Sequence, residues 1–173
     1  MSETVDDGEL TRFWAAAQGH VGLGSFDVVM GETPFGVVPP PAWSFGDSPE
    51  LADELLERVL SGEKTATSTA VWEFEACDEE QPAVGDLAVL LDGAGHPRAL
   101  IRTTSVLVVP FGEVGEEFAA AEGEGDGSLA AWRSSREAYF RRPAPDAGGR
   151  PFSEELPVVL EEFELLYPDE STP

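Results

Sequence analysis

The hydrophobic pattern changes its period at Gly62, and this change limits the folds that the chain can adopt. Before it, apolar residues recur at helical spacing from position 51 to 59, with Ser48 as a suitable N-cap and Pro49 as a suitable first helical residue. After it, β-branched residues and alternating apolar residues become frequent, which is typical of strands. The chain is therefore expected to combine helices with a sheet.

Strand-like segments follow Gly62, and helical segments lie among them. Strands are predicted at residues 69–75, 86–92, 98–110 and 157–167. Further helices are predicted at residues 7–18, 114–121 and 128–140. This number of strands, with helices between them, indicates an α+β fold in which a small closed or half-closed β-barrel is flanked by helices.

Glycine and proline punctuate residues 19–41, which end in a run of three prolines. Such punctuation is typical of an extended segment and not of an independently folded unit. We therefore expect residues 1–41 to form an N-terminal helix and a Gly/Pro-rich arm that packs on a domain at residues 42–168. Residues 169–173 are expected to be a disordered tail.

Acidic residues outnumber basic ones by a wide margin. Ten Lys and Arg stand against 34 Asp and Glu, so the formal net charge is −24. Because non-specific affinity for nucleic acids depends on cations that neutralise phosphates, duplex DNA is not expected as a partner. The only lysine is Lys64, and a buried ammonium can lose its proton whereas a guanidinium effectively cannot. Lys64 is therefore a candidate for chemistry.

Cysteine and histidine are too few and too scattered for a metal site. Cys77 is the single cysteine, which excludes an internal disulfide, and His20 and His96 lie far apart. No metal and no cofactor are therefore expected. The N-terminal segment lacks the features of a signal peptide, and no apolar run approaches the length of a membrane span. These features predict a cytoplasmic, soluble protein without a membrane partner.

Three short segments carry candidate functional residues, at positions 43–47, 61–67 and 122–126. Each also has an ordinary structural interpretation. The aromatic residues at 43–47 are typical of a core plug, Lys64 is a common helix C-terminal cation, and residues 122–126 read as a solvated turn. Composition alone does not separate these interpretations.

A cluster of arginines follows the acidic turn at residues 122–126. Four of the ten cations lie within ten residues of one another: Arg133, Arg136, Arg141 and Arg142. A basic helix face opposite an acidic loop is the strongest local charge contrast in the chain. This contrast indicates a binding or catalytic site.

Several short motifs follow one another in a recognisable order. They are Trp43-Ser-Phe-Gly-Asp, Leu51-Ala-Asp-Glu-Leu, Gly62-Glu-Lys-Thr-Ala-Thr, Val84-Gly-Asp, Pro110-Phe111, Phe118-Ala-Ala-Ala-Glu-Gly-Glu-Gly-Asp126 and Trp132-Arg133. In this order the chain resembles the ASCH domain family from about Trp43 to Tyr167. The resemblance implies a PUA-like fold, a small β-barrel flanked by helices, with a cleft associated with RNA or nucleoside binding.

The resemblance also implies a specific activity and its residues. A bacterial subgroup with this domain hydrolyses N4-acetylcytidine to acetate and cytidine, and its working residues correspond here to Lys64, Thr67 and Glu122. Glu124 is the alternative to Glu122, which is preferred because it directly follows the Ala-rich helix. Thr67 would attack the acetyl carbonyl or orient a water that does so. Lys64 would act as a neutral base or as a charged group that stabilises the oxyanion, with Glu122 as general base.

Further residues are expected to bind the substrate. They are Trp43, Phe45, Asp47, Thr65, Glu124, Asp126, Arg133 and Arg136. Trp43 or Phe45 would stack on the pyrimidine, and Asp47 or Asp126 would read a base edge or the ribose. The resemblance also implies a His in many relatives at the position of Arg136, so substrate specificity is expected to differ there.

The main alternative function is an RNA- or nucleotide-binding module without catalysis, in which Arg102, Arg133 and Arg136 meet phosphate. A ribonuclease that uses the same cleft is a variant of it. The net charge favours a small nucleoside over a polyanion, while the local arginines leave RNA as a possible partner. A third hypothesis is a protein-interaction patch on the arm, formed by Phe26, Val28 and Val29. The oligomeric state is left open.

Overall fold

The computed structural model describes residues 5–21, 38–142 and 151–168. The described helices are α1 (Asp7–Val21), α2 (Pro49–Leu60), α3 (Val71–Cys77), α4 (Glu116–Glu122) and α5 (Leu129–Phe140). The described strands are β1 (Ala42–Trp43), β2 (Ala66–Ala70), β3 (Leu87–Leu91), β4 (Pro97–Pro110) and β5 (Pro157–Tyr167). A single 3₁₀ turn, Phe111–Glu113, follows β4.

The strands form one five-stranded sheet in the order β1-β3-β4-β5-β2. β1 pairs with β3 in parallel, whereas β3 with β4 and β2 with β5 pair antiparallel. The predicted α+β class is confirmed. Its closure into a barrel is not, because β1 and β2 lie at opposite edges and the described sheet is open.

Local signals in the sequence account for the two longer helices downstream of α1. Ser48 caps α2, since its Oγ accepts a hydrogen bond of 3.2 Å from the Leu51 N–H, and Pro49 occupies the first turn. Ser128 caps α5 in the same way, with Ala131 as the donor at 3.1 Å. These helices, together with α1 and α4, confirm the predicted helical segments.

One predicted strand is wrong over most of its length. The segment 69–75 was expected to be extended, but β2 ends at Ala70 and α3 follows directly. The Glu73 carboxylate accepts a hydrogen bond of 2.8 Å from the Ala70 N–H and so starts a helical turn. Asp78, in the left-handed conformation at φ 53°, ends that helix. These local hydrogen bonds outweigh the strand preference of the β-branched and aromatic residues.

The chain divides into two compact units, each with its own core. The first comprises the described residues of Met1–Gly62, Leu87–Arg102 and Glu164–Pro173, and the second those of Glu63–Asp86 and Thr103–Phe163. In the first unit, Trp14 and Ala17 of α1 pack with Val89, Leu91 and Leu100.

The core of the second unit lies between β2, β5 and the helices α4 and α5. Ala66, Ala70, Val158 and Leu160 are its strand residues, and Phe118, Ala119, Trp132 and Phe140 are its helix residues. Phe111 stacks on Trp132 with ring centroids 5.2 Å apart. This packing holds α4 and α5 against the sheet and thereby positions the side chains described below.

The predicted domain boundaries at residues 41 and 168 stay a prediction. Within the first unit, α1 shares a core with β3 and β4. Most of the predicted arm and the tail at residues 169–173 lie outside the described residues. The predicted interaction patch at Phe26, Val28 and Val29 lies outside them as well.

Candidate functional site

The ammonium of Lys64 is buried and fully hydrogen-bonded. The residue is 1% exposed. Its Nζ donates to the carbonyl of Ala66 at 2.8 Å, to the carbonyl of Glu122 at 3.2 Å and to Glu124 Oε1 at 3.2 Å. An ammonium has three N–H donors, whereas a neutral amine has two. The three acceptors therefore match the charged form of Lys64.

Lys64 meets β2 at the outer edge of the sheet. The Thr65 carbonyl accepts a hydrogen bond of 2.9 Å from the Phe163 N–H, so it points towards β5. Carbonyls alternate in direction along a strand, and the Ala66 carbonyl therefore points away from β5. Because β2 is an edge strand, the Lys64 ammonium lies beside its free edge.

Opposing effects act on the pKa of Lys64. Burial disfavours the charged form and lowers the pKa, and the nearby Arg136 adds to this lowering. The carboxylates of Glu122 and Glu124 raise it. The net result is a pKa below the ordinary lysine value, in a site whose acceptors hold the ammonium in place.

Glu122 is completely buried and its carboxylate is saturated. Its Oε1 accepts from Arg136, its Oε2 accepts from the indole N–H of Trp132, and the Ser68 hydroxyl lies 3.2 Å and 3.0 Å from the two oxygens. Lys64 Nζ is 4.0 Å from Oε1. Glu122 therefore anchors several elements to one another and offers no solvent-exposed oxygen to a ligand.

Glu124 differs from Glu122 in its exposure. Its side chain is 22% exposed, and its Oε1 accepts from Lys64 at 3.2 Å and from Arg136 at 2.8 Å. Among the described residues, none donates to its Oε2. Glu124 thus offers a carboxylate oxygen beside a buried ammonium, at a point that solvent reaches.

These side chains form what we call the Lys64 network. Its members are Lys64, Ser68, Glu122, Glu124, Trp132 and Arg136. Two cations face two carboxylates, so the network is electrically neutral. Burial disfavours the charge on Arg136, but Glu122 and Glu124 outweigh that effect and raise its pKa.

The basic helix face predicted from the sequence is used within the protein. Arg136 pairs with Glu122 and Glu124, so the acidic turn and the arginine helix neutralise each other. Arg133 donates to the Gly112 carbonyl at 3.0 Å. The remaining two arginines contact neighbours on the same helix: Arg141 pairs with Glu137, and Arg142 stacks on Tyr139. The charge contrast is therefore an internal contact.

A glycine allows the helix end to approach the lysine turn. Gly123 follows α4 in the left-handed conformation, with φ 65°. A Cβ atom there would lie 2.8 Å from the carbonyl carbon of Glu63 and closer still to its oxygen. The Thr65 N–H donates to the Ala121 carbonyl at 2.7 Å across the same contact. Gly123 therefore determines where the next residue, Glu124, is placed.

Thr67 lies on the other face of β2 from the Lys64 network. Alternate residues of a strand face opposite sides, and Ser68, which reaches Glu122, faces the helices. Thr67 is half-buried, and its partner across the β2–β5 pair is Glu161. Thr65 is exposed, and its hydroxyl is 3.4 Å from the Ala121 carbonyl.

Glu161 is a polar residue that the sequence analysis missed as a site candidate. It is half-buried on β5 and accepts a hydrogen bond of 2.7 Å from the hydroxyl of Thr103. Burial raises its pKa, and Asp86 adds to the increase. Val159 and Phe163, which lie two residues before and after it on the same face of β5, are both buried. A carboxylate between two core positions was the signal in the sequence.

The other predicted substrate contacts lie in separate parts of the chain. Trp43 and Phe45 pack edge to face with centroids 4.7 Å apart in the first unit, where Phe45 is buried and Asp47 is exposed. Asp126 is exposed, and its bonds with Ser128, which include one of 2.9 Å from the backbone N–H, lower its pKa. Contacts of these residues with a substrate stay predictions.

Membrane spans and metal-ligand groups are both absent from the described residues. Within ranges 5–21, 38–142 and 151–168, no helix combines the length and apolarity needed to cross a bilayer. Over the same ranges, His, Cys, Asp and Glu side chains form no group of three or more that is arranged to hold a metal ion.

Comparisons with known proteins agree with the sequence motifs. The ASCH domain family model matches residues 41–167. A crystal structure of an ASCH domain from Lactobacillus crispatus JV V101 is 29% identical, with a TM-score of 0.77 over 96% of this chain and 99% of that one. Protein EF3133 from Enterococcus faecalis V583 is also 29% identical, with a TM-score of 0.67 over 88% of this chain and 91% of that one. Among curated proteins, none matches significantly. The predicted PUA-like α+β fold is confirmed.

Proposed function

Because the chain belongs to the ASCH domain family, we propose that it is a metal-independent amidohydrolase that deacylates an N4-acylated cytidine such as N4-acetylcytidine. The observation that carries the proposal is the contact between the buried Lys64 ammonium and the partly exposed Glu124 carboxylate. An amide hydrolase needs a cation for the developing oxyanion and a base for water, and this pair supplies both.

Glu124 is the general base in this proposal, and Glu122 is a positioning residue. A base needs a free oxygen that a water can reach, which Glu124 Oε2 provides. Glu122 is fully buried and holds Ser68, Trp132 and Arg136. The sequence-based preference for Glu122 is thus replaced by the alternative that it left open.

The reaction proceeds in two steps. Glu124 takes a proton from a water molecule as the water oxygen bonds to the acyl carbon, and the carbonyl oxygen becomes an oxyanion. The hydrogen bond that Lys64 donates to Glu124 is redirected to that oxyanion, while Arg136 continues to hold Glu124. The protonated Glu124 then donates its proton to N4 as the C–N bond breaks and the oxyanion reforms the carbonyl. Cytidine and acetic acid leave, and the acid releases its proton to solvent as acetate.

Thr67 is given a supporting role. It lies on the same strand as the Ala66 carbonyl that holds Lys64 but on the face away from Glu122, so its hydroxyl is proposed to contact the acyl group and not the water at Glu124. Thr65 and Asp126 are proposed to contact the nucleoside.

A polyanionic substrate is less compatible with the charges. The net charge is −24, and Arg136 is held by two carboxylates. Arg102 pairs with Glu164, and Arg133 donates to a backbone carbonyl. Phosphate binding by these arginines would require breaking existing contacts. RNA binding or cleavage is therefore an alternative outcome of the test and not the proposal.

The test is acetate release from N4-acetylcytidine by the purified full-length chain. Glu124→Gln is expected to lower kcat by about 10²–10⁴-fold, as is typical for the loss of a general base. Glu117→Gln, on the exposed first turn of α4, is the matched control and should leave kcat unchanged. Lys64→Arg retains the charge and Lys64→Met removes it. Acetate release that persists in Lys64→Met would contradict the proposal, as would RNA cleavage without acetate release by the wild type.

A further inference from the structure

We propose that Glu161 is a substrate-reading residue that binds the N3 and N4–H edge of an acylated pyrimidine with its carboxyl group. This inference deepens the proposed function and rests on it for the identity of the ligand. Glu161 belongs to a group of polar side chains that we call the Glu161 cluster. Its members are Thr67, Asp86, Thr103 and Glu161.

The cluster is built by three strands and one turn. Thr67 and Glu161 are direct partners across the β2–β5 pair, so their Cβ atoms are about 4.5–5.5 Å apart on one face of the sheet. Thr103 on β4 is 4% exposed and donates to Glu161 Oε1 at 2.7 Å. The Thr103 N–H donates to the Asp86 carbonyl at 2.9 Å, which joins the turn before β3 to the cluster.

The environment of Glu161 disfavours its charged form. Among the described residues, no Lys, Arg or His forms an ion pair with it. The charged group that acts on it from the surrounding elements is Asp86, which repels a second negative charge, whereas β2 and β4 contribute only hydroxyls. Burial is the largest cause and raises the pKa of Glu161. The hydrogen bond from Thr103 favours the carboxylate and lowers the pKa, but burial and Asp86 together outweigh it. The group is therefore neutral up to a higher pH than an ordinary glutamate.

The hydrogen-bond donor and acceptor of a neutral carboxyl group are complementary to those of this pyrimidine edge. It carries one O–H donor and one carbonyl acceptor side by side. In an N4-acylated cytosine, N3 is an acceptor and N4–H is the adjacent donor, so the two edges form a pair of parallel hydrogen bonds. Thr103 occupies one lone pair of Oε1 and holds the carboxyl plane, while no described residue donates to Oε2.

The cluster also shares β2 with the proposed reaction centre. Lys64 lies beside the outer edge of that strand, and Thr67 stands on the face that carries Glu161. A base edge bound at Glu161 would therefore place its N4 substituent near Thr67. This arrangement gives Thr67 a function that the Lys64 network alone does not explain.

The experiment measures binding of cytidine, the product, by calorimetry at pH 5 and pH 8. Glu161→Ala should weaken cytidine binding at least tenfold at pH 5. Glu161→Gln retains a neutral donor and acceptor, so it should bind cytidine within about threefold of the wild type at pH 5. It should also bind equally at pH 8, where the wild type weakens. Glu162→Gln, an exposed carboxylate whose side chain lies on the other face of β5, is the matched control and should behave as the wild type.

Failure of this inference is distinct from failure of the proposed function. Wild-type protein that binds no cytidine, or Glu161→Ala that binds it normally, would overturn the role of Glu161. If the wild type releases acetate while Glu161→Ala keeps its KM, the inference fails and the activity stands. If the wild type binds cytidine through Glu161 but releases no acetate, the activity fails and the inference stands. A Glu161→Gln variant with the wild-type pH dependence also contradicts the inference, because a group other than Glu161 would then titrate.

Discussion

The Lys64 network and the Glu161 cluster involve the same strand, β2, but they differ in how completely their polar atoms are paired. In the network, Lys64 uses all three donors and Glu122 accepts from three side chains. In the cluster, Glu161 has one hydrogen bond to Thr103 and no cation among the described residues. A saturated group stabilises and positions its neighbours, whereas an unsaturated one is available to a ligand.

This difference assigns separate tasks to the two regions. The interior of the network holds α4, α5 and β2 together, and only Glu124 extends from it towards solvent. The cluster contributes less to holding elements together, and its carboxyl group keeps an open oxygen. Stability measurements on paired variants can therefore test whether the two regions differ in this way.

The largest effect is expected for Glu122→Leu. The change leaves the cations of Lys64 and Arg136 facing only Glu124 in a buried site, and loss of one partner of a buried ion pair costs about 3–5 kcal/mol. The same change at the second region, Glu161→Leu, leaves the buried Thr103 hydroxyl without its acceptor and should cost about 1–3 kcal/mol. Urea unfolding of both variants measures the two values. Equal losses would show that the regions do not differ in the way described.

A smaller effect is expected for the glycine that brings α4 to the lysine turn. Gly123→Ala and Gly125→Ala both place a Cβ on a left-handed residue, with φ 65° and 61°, at a cost of about 1–2 kcal/mol each. At Gly123 the Cβ also meets the Glu63 backbone, which adds about 1–3 kcal/mol. At Gly125 the nearest atom is the Ala131 Cβ at 3.7 Å, an ordinary contact.

The unfolding free energies of the two alanine variants measure this difference directly. If Gly123→Ala were no less stable than Gly125→Ala, the close approach of α4 to Glu63 would not be needed for the Lys64 network.

The smallest effect is the pH dependence contributed by Glu161. The pKa of this carboxyl is raised by folding, so the folded protein binds more protons than the unfolded chain between about 4.3 and the raised value. The contribution of Glu161 to stability is therefore full below about pH 4.3 and is lost as pH rises through the folded pKa. Glu161→Gln lacks this loss.

The measurement is the difference in unfolding free energy between Glu161→Gln and the wild type across pH 4 to 8. Relative to the wild type, the variant should gain stability with rising pH and then level off. A difference that is constant over this range would mean that folding leaves the pKa of Glu161 unchanged.

Much of the fold follows from local chemistry in the sequence. Ser48, Pro49 and Ser128 identify helix starts because each satisfies or spares an N–H of the first turn. The segments at β3, β4 and β5 were predicted to within one residue at each end because apolar and β-branched residues run along them. The error at residues 69–75 arose because one side chain, Glu73, starts a helix in a sequence with strand propensities.

The site was predicted in part. Lys64 was identifiable as the only lysine, and the motif placed it beside the turn that carries Glu122 and Glu124. Which carboxylate is saturated depends on side chains from β2 and α5, and no spacing within the turn encodes that. The pairing of Arg136 is likewise long-range, so the arginine helix was read as a surface that meets ligands.

The position of Lys64 also affects how the protein behaves towards other chains. A strand at the edge of a sheet carries unpaired backbone groups that invite a foreign strand to add. On β2, the Ala66 carbonyl is occupied by the Lys64 ammonium and the Ala70 N–H by the Glu73 carboxylate. These two contacts occupy one acceptor and one donor that an incoming strand would otherwise use. The lysine that is proposed to stabilise the oxyanion thus also removes one pairing site from this sheet edge.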